Sequence, residues 1–239
     1  MSNFDENHYF HTLKSKKYSL FVCDEVGRGP IAGPVVSCCL YIPQESLDDE
    51  LLVNLKVLGI KDSKKLSASK RAKILTELNF KIEKLETNSI YSLELAGKKL
   101  YMVLSQKSPG EIDEINILQA SLLSMKEGCE KLVRGLKIKE KGIILIDGNQ
   151  RFTWPDSQFA VVSLIKGDQK SLAIGLASIV AKEFRDYQMQ KYHKEFPQYG
   201  FNTHAGYPTK IHKAAVKEHG VLPIHRKSFS GVKEYLLQE

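Results

Sequence analysis

Tyr18-Ser-Leu-Phe-Val-Cys-Asp24-Glu25 is a hydrophobic run that ends in two adjacent carboxylates and leads directly into Gly27-Arg28-Gly29. The run reads as a buried strand. Neighbouring carboxylates repel one another, and burying them is costly unless a cation sits between them. Apart from Arg28, the residues that follow have almost no side-chain bulk, so backbone N–H groups can approach a ligand closely. Strand, acid pair and bare loop together point to a divalent metal and a phosphate-bearing substrate.

Outward from this stretch, Ala32–Ile42 is β-rich and suits a second strand beside the first. Asp62-Ser-Lys-Lys-Leu66 forms a polar turn, and Ser67 to Leu78 has helical spacing with Ser67 as N-cap. Residues 80–108 supply another strand or two. Apolar residues at 112, 115, 118, 122, 125, 129 and 132 predict one amphipathic helix over Glu111–Leu136. Gly142–Ile146 and Phe159–Ile165 are apolar strands, and a long helix is expected from Asp168 to about Lys194, with another over 209–219. The expected fold class is α/β, a mixed sheet flanked by helices with a helical C-terminal extension. Residues 1–17 form a polar lead-in, 18–195 the α/β domain and 196–239 a helical region packed on it.

Lys plus Arg less Asp plus Glu is 35 − 28, a formal charge of +7, which favours a polyanionic partner such as nucleic acid. Cys23, Cys38, Cys39 and Cys129 form no C-x-x-C pair, which argues against a disulfide framework or zinc and for a reducing compartment. With no secretory pattern and no run near the roughly 20 apolar residues that span a bilayer, a cytoplasmic protein without membrane contact is expected.

Asp24 and Glu25, Asp147 and Asp168 each stand where an apolar strand stops. In open α/β sheets ligands bind at such strand ends. Singly, Asp147 before Gly148 reads as a turn and Asp168 as a helix cap, so the joint pattern carries the argument. Four hard oxygen ligands without histidine or cysteine suit magnesium or manganese, and suffice for two ions clamping a phosphodiester. Gly27-x-Gly29-x-x-x-Gly33 also has the look of a dinucleotide-binding turn, but Pro30 and Pro34 flank a β-rich stretch, and the acids would repel phosphate.

Several motifs in order resemble the type 2 ribonuclease H family, and within it bacterial ribonuclease HII. They include Asp24-Glu-Val-Gly-Arg-Gly-Pro-Ile-Ala-Gly-Pro-Val36, Asp62-Ser-Lys-Lys-Leu-Ser67, Glu111–Gln119, Leu145-Ile-Asp-Gly148, Lys166-Gly-Asp-Gln-Lys170 and Ala177–Lys182. The tail adds Tyr199-Gly-Phe, His204-Ala-Gly-Tyr207 and Pro223–Phe229. The resemblance implies a ribonuclease H-like fold, an endoribonuclease cutting RNA in RNA–DNA hybrids, and nicking of duplex DNA at a single embedded ribonucleotide. By position it makes Asp24, Glu25, Asp147 and Asp168 the catalytic acids on two Mg2+ or Mn2+ ions. Gly27, Arg28 and Gly29 would read the 2′-hydroxyl, Tyr207 would pack against the sugar across the junction, and Ser63 and Lys64 would bind phosphates. Lys166 is a weaker phosphate candidate.

Lys182 and Arg185 suit salt bridges with Asp186 or Glu183, and His204, His212, His219 and His225 suit surface or packing roles. Val26 replaces the usual alanine, Ala205 a frequent lysine, and residues 79–108 match the family poorly. A monomer is assumed. A sliding clamp stays open as a partner, without an obvious motif for it. Two other functions compete: a ribonuclease HIII-like enzyme preferring longer hybrids, and a basic nucleic-acid-binding protein without catalysis.

Overall fold

A computed structural model describes residues 4–60 and 66–236, so Ser63 and Lys64 lie outside the described residues. β1 (Ser19–Val26) runs antiparallel to β2 (Val35–Ile42), pairing Cys23 with Cys39 and Asp24 with Cys38. The segment before β1 is more than a polar lead-in: it holds α1 (Glu6–Ser15), capped by the Asp5 side chain. After β2 come α2 (Asp49–Val57), a helix not expected from the sequence that buries Leu51, Leu52 and Leu55, and α3 (Ala68–Glu77), capped by Ser67 as expected. The stretch 80–108 forms a hairpin of β3 (Ile90–Leu95) and β4 (Lys98–Lys107).

The helix expected over 111–136 is two helices. α4 (Pro109–Ile115) starts earlier, because Ser108 and Glu111 close a capping box with Pro109 at the first position. Asn116 then leaves the helical region (φ 68°, ψ 163°), and its side chain accepts from the N–H groups of Leu118 and Gln119 to start α5 (Ile117–Leu136).

β5 (Gly142–Asp147) and β6 (Phe159–Leu164) lie parallel to β1 and to each other. The long helix expected from Asp168 is also broken. A single turn, α6 (Gly167–Lys170), is followed by extended Ser171, which caps α7 (Leu172–Glu195). Asp168 therefore sits in α6, past the strand end where the sequence placed it. α8 (Phe201–His204) and α9 (Lys210–His219) follow.

Among the described residues the sheet has six strands in the order β3-β4-β2-β1-β5-β6, antiparallel on one side of β1 and parallel on the other. Side chains alternate across it with period two. Val22, Leu40 and Leu145 face α7 through Ile174, Ala177 and Val180, whereas Phe21, Cys23, Ile144 and Ile146 face α5 through Met125, Cys129 and Leu132. No helix among the described residues is long and apolar enough to cross a membrane.

The buried carboxylate of Glu6 joins α1 to the start of α7. It accepts from Ser171 Oγ (2.5 Å), Leu172 N (2.7 Å) and Ala173 N (3.2 Å), covering N–H groups that a helix start leaves without partners. Glu6→Ala should cost roughly 1–2 kcal/mol of stability, the range for losing a helix cap and its hydrogen bonds. Urea denaturation checks this; an unchanged midpoint would mean that α1 does not anchor α7.

Candidate active site

The parallel register pairs Cys23 with Ile146, so Asp24 and Asp147 stand next along their neighbouring strands. Alternation sends both toward the α7 layer and turns Glu25 toward the α5 layer. Asp24 is buried, 2% exposed, and accepts the Glu25 N–H. Asp147 Oδ1 accepts from Gly167 N at 2.6 Å, which draws α6, and with it the buried Asp168, to the strand ends. The sheet thus collects the four predicted acids at one end. Their oxygens do not yet form one shell: among the described residues, only Cys23, Cys39 and Cys129 bring three ligand atoms within 4.8 Å of one another.

Burial raises the pKa of Glu25, Arg28 opposes this, and the Asp147 charge raises it further. Arg28, half exposed, meets Glu25 with Nη1 at 3.4 Å from Oε1. Glu25, Arg28, Asp147 and Gln150 line one small cleft with Leu118 and Ser121 of α5.

The glycine loop is fixed by two arginines whose role the sequence did not reveal. Arg226, fully buried, donates from Nη2 to Gly27 O (2.6 Å), from Nη1 to Arg28 O (3.0 Å) and from Nε to Gly33 O (3.0 Å). Arg185, also fully buried, donates to the carbonyls of Pro34, Ala32 and Ala205. The salt bridge expected of Lys182 forms, with Asp186, but that of Arg185 does not: Glu183 and Asp186 pair with Arg71. Gly27 has φ +95°, and a Cβ there would collide with Arg185 Nε. A Cβ on Gly29 would lie 3.3 Å from the Tyr207 ring, so a bare backbone lets Tyr207 close over the loop. Tyr207 itself is 43% exposed. Lys166 is exposed, in the left-handed region ahead of α6.

Beneath Tyr207, the partners of three buried histidines define their tautomers. Leu222 N donates to His225 Nδ1, so His225 carries its proton on Nε2 and donates to His212 Nε2 (3.1 Å). His212 then donates from Nδ1 to Tyr207 O (2.9 Å). His204 accepts from Gly206 N at Nδ1 and donates from Nε2 to Tyr199 O. Packing is thus the role of these three, as expected, while His219 is exposed.

A sequence model described as ribonuclease HII matches residues 23–232. The chain belongs to the ribonuclease HII family. The ribonuclease HII of Desulfotalea psychrophila is 39% identical over 239 residues, 99% of this chain and 92% of that one. Among solved structures, the Archaeoglobus fulgidus ribonuclease HII complexed with PCNA superposes with a TM-score of 0.60 at 23% identity, covering 88% of this chain and 95% of that one. A Bst ribonuclease HIII in complex with Mn2+ gives a TM-score of 0.64 at 18% identity, covering 95% of this chain and 71% of that one. At such identities these likenesses show the fold, a ribonuclease H-like α/β sheet, as expected. As a ribonuclease HII family member the chain is a type 2 ribonuclease H, an endoribonuclease.

Burial pulls His212 and His225 from 6.5 down to about 4 and lowers His204 as well. Between those values the unfolded chain binds protons that the native state refuses. The stability these residues contribute is therefore present above about 6.5 and lost as pH falls through about 4. The melting temperature should fall over this window, and His212→Asn should flatten the dependence. Arg226→Lys keeps the charge but loses the planar fork, and should cost about 3–6 kcal/mol, the scale of losing two charge-assisted hydrogen bonds. Faster amide exchange at residues 27–33 would accompany that loss; unchanged exchange would show that the loop holds itself.

Proposed function

We propose that this enzyme nicks duplex DNA on the 5′ side of a single embedded ribonucleotide and cuts RNA in RNA–DNA hybrids, leaving 3′-hydroxyl and 5′-phosphate ends. The observation that carries the reading is the pinned backbone of Gly27-Arg28-Gly29, with Tyr207 against Gly29 and the Asp24–Glu25 pair directly before it. Only the 2′-hydroxyl distinguishes a ribonucleotide in DNA, so a reader of it needs backbone groups held rigidly at the sugar. With the Gly27 and Arg28 carbonyls tied to Arg226, the N–H groups of this stretch take that role. The Tyr207 ring supplies an apolar wall for the neighbouring sugar.

Asp24, Glu25, Asp147 and Asp168 offer hard oxygen donors and neither nitrogen nor sulfur, which fits magnesium or manganese. The Mn2+ complex of the ribonuclease HIII neighbour supports this choice. Bound there, two such ions would acidify a water and neutralise charge on the departing 3′ oxygen. Buried Asp24 and Asp168 hold fixed positions, whereas the less buried Glu25 and Asp147 can turn to complete a shell. A cation between Glu25 and Asp147 would relieve the repulsion that raises the Glu25 pKa. Arg28 can leave Glu25 for a substrate phosphate, and Ser63 and Lys64 are proposed for phosphates further along. The enzyme is proposed to act as a monomer in the cytoplasm. A sliding-clamp partner rests on the archaeal neighbour's complex with PCNA.

The test is a labelled DNA duplex with one ribonucleotide, incubated with magnesium or manganese. A single nick 5′ of that residue, abolished by EDTA, is expected. Asp24→Asn should slow it at least about a hundredfold, the scale for losing one group that stabilises transition-state charge, while circular dichroism stays native. Cleavage of long hybrids alone would remove the junction-reading role of Gly27–Gly29 and Tyr207. Turnover retained by Asp24→Asn would remove the proposed acid site.

A further inference from the structure

On the α5 face of the sheet, Cys23 Sγ lies 3.3 Å from Cys39 Sγ and 3.4 Å from Cys129 Sγ, and all three sulfurs lie within 4.8 Å of one another. Three separate elements deliver them. Cys23 and Cys39 are directly opposed on β1 and β2, and Cys129 descends from α5. Gly128 makes the approach feasible, because a Cβ there would stand 2.7 Å from Cys39 Sγ. Cys38, by contrast, pairs with Asp24 and points to the other face. All three clustered residues are fully buried among Phe21, Ile146 and Met125.

We propose that Cys23, Cys39 and Cys129 form a binding site for trivalent arsenic, taken up as arsenous acid. Charge selects the ligand. Three thiolates carry −3, and an apolar core tolerates only a bound species that leaves no net charge. A monovalent copper ion would leave −2, and a divalent zinc or cadmium ion −1 with a coordination position still open. A trivalent centre leaves zero and needs no fourth ligand.

The exchange is neutral throughout. Arsenous acid and three thiols give an arsenic trithiolate and three waters: three As–O bonds break, three As–S bonds form, and each thiol proton leaves in a water molecule. No oxidation state changes. Burial, which pushes all three thiols upward and disfavours free thiolates, does not oppose an exchange whose reactants and products are uncharged. The bound centre would tie β1 to β2 and α5 one residue from Asp24.

The full-length protein, fully reduced, would be incubated with sodium arsenite and followed by native mass spectrometry and thermal melting. The expected product is one arsenic per chain with loss of three hydrogens, together with a raised melting temperature, because a ligand that prefers the native state stabilises it. Cys38→Ala should behave like the parent. Cys129→Ala, and independently Cys39→Ala, should lose the three-hydrogen adduct and the shift, with melting in the absence of arsenite showing that each variant folds. An adduct lacking only two hydrogens, or one unaffected by both variants, would overturn the proposal. So would a lowered melting temperature, which would mean that arsenite captures thiols of the unfolded chain.

Discussion

Two buried guanidinium groups, whose hydrogen bonds among the described residues all go to backbone carbonyls, hold the loop on which the rest of the site depends. Arg226 takes the carbonyls of Gly27, Arg28 and Gly33, and Arg185 those of Ala32, Pro34 and Ala205. Burial lowers Arg226 to about 9 and Arg185 to about 10, so both stay charged at neutral pH. Desolvating two cations is expensive, and neutral carbonyls offset it only because each planar fork places several donors at once. A carboxylate partner would offset more, but it would compete for the donors that shape the loop. The arrangement also explains why the chain beyond α7 is integral to the site: Arg226 N donates to Ile31 O, and Gly33 N to Ile224 O, pairing the loop with the tail.

The acid pair works differently from its appearance in the sequence. Asp24 and Glu25 are adjacent along the chain, yet strand alternation sends them to opposite layers. Asp24 lies beside Asp147 of the neighbouring strand, while Glu25 turns into the cleft beside α5 and feels Asp147 across the strand end. The repulsion on Glu25 thus comes from Asp147 across the strand end. A site built this way opens onto both layers at the end of the sheet, where an extended polyanion can lie across it. The net charge of +7 then acts on that polyanion at longer range, attracting without specifying sequence.

Local periodicity and charge made the strands and the acid cluster legible. β1, β2, β5 and β6 are largely apolar runs, and no tertiary contact overrode that signal. The breaks within helices were harder. Apolar spacing continues across Asn116, whose positive φ leaves no trace in periodicity, although Ser108-Pro-Gly-Glu111 carries a capping-box pattern that marks the true start of α4. Ser171 was hidden for a longer-range reason: its break is stabilised by Glu6, 165 residues away. Arg185 looks like an ion-pair partner in sequence because Glu183 and Asp186 flank it on the same helix; those acids are taken by Arg71 from α3 and by Lys182. Arg226 stood inside a motif recognised by resemblance, Pro223–Phe229, but only the fold shows which carbonyls it meets.

The histidines follow from the arginines. The tail places His204, His212 and His225 in the same buried region that already holds Arg185 and Arg226, with His225 adjacent to Arg226 in the chain. Among the described residues no acidic side chain hydrogen-bonds to them, so each proton added there would place a further positive charge in a low-dielectric environment. The chain resolves this by letting the arginines keep their protons and the histidines stay neutral. Neutral imidazoles can both donate and accept, which the line from Leu222 N through His225 and His212 to Tyr207 O requires at every step. A protonated His212 would turn its Nε2–H toward the Nε2–H of His225, opposing two donors and breaking the line. The placement of Tyr207 over Gly29 thus rests on a proton distribution: charge where carbonyls converge, neutrality where rings must pass a single hydrogen-bond direction along to the backbone.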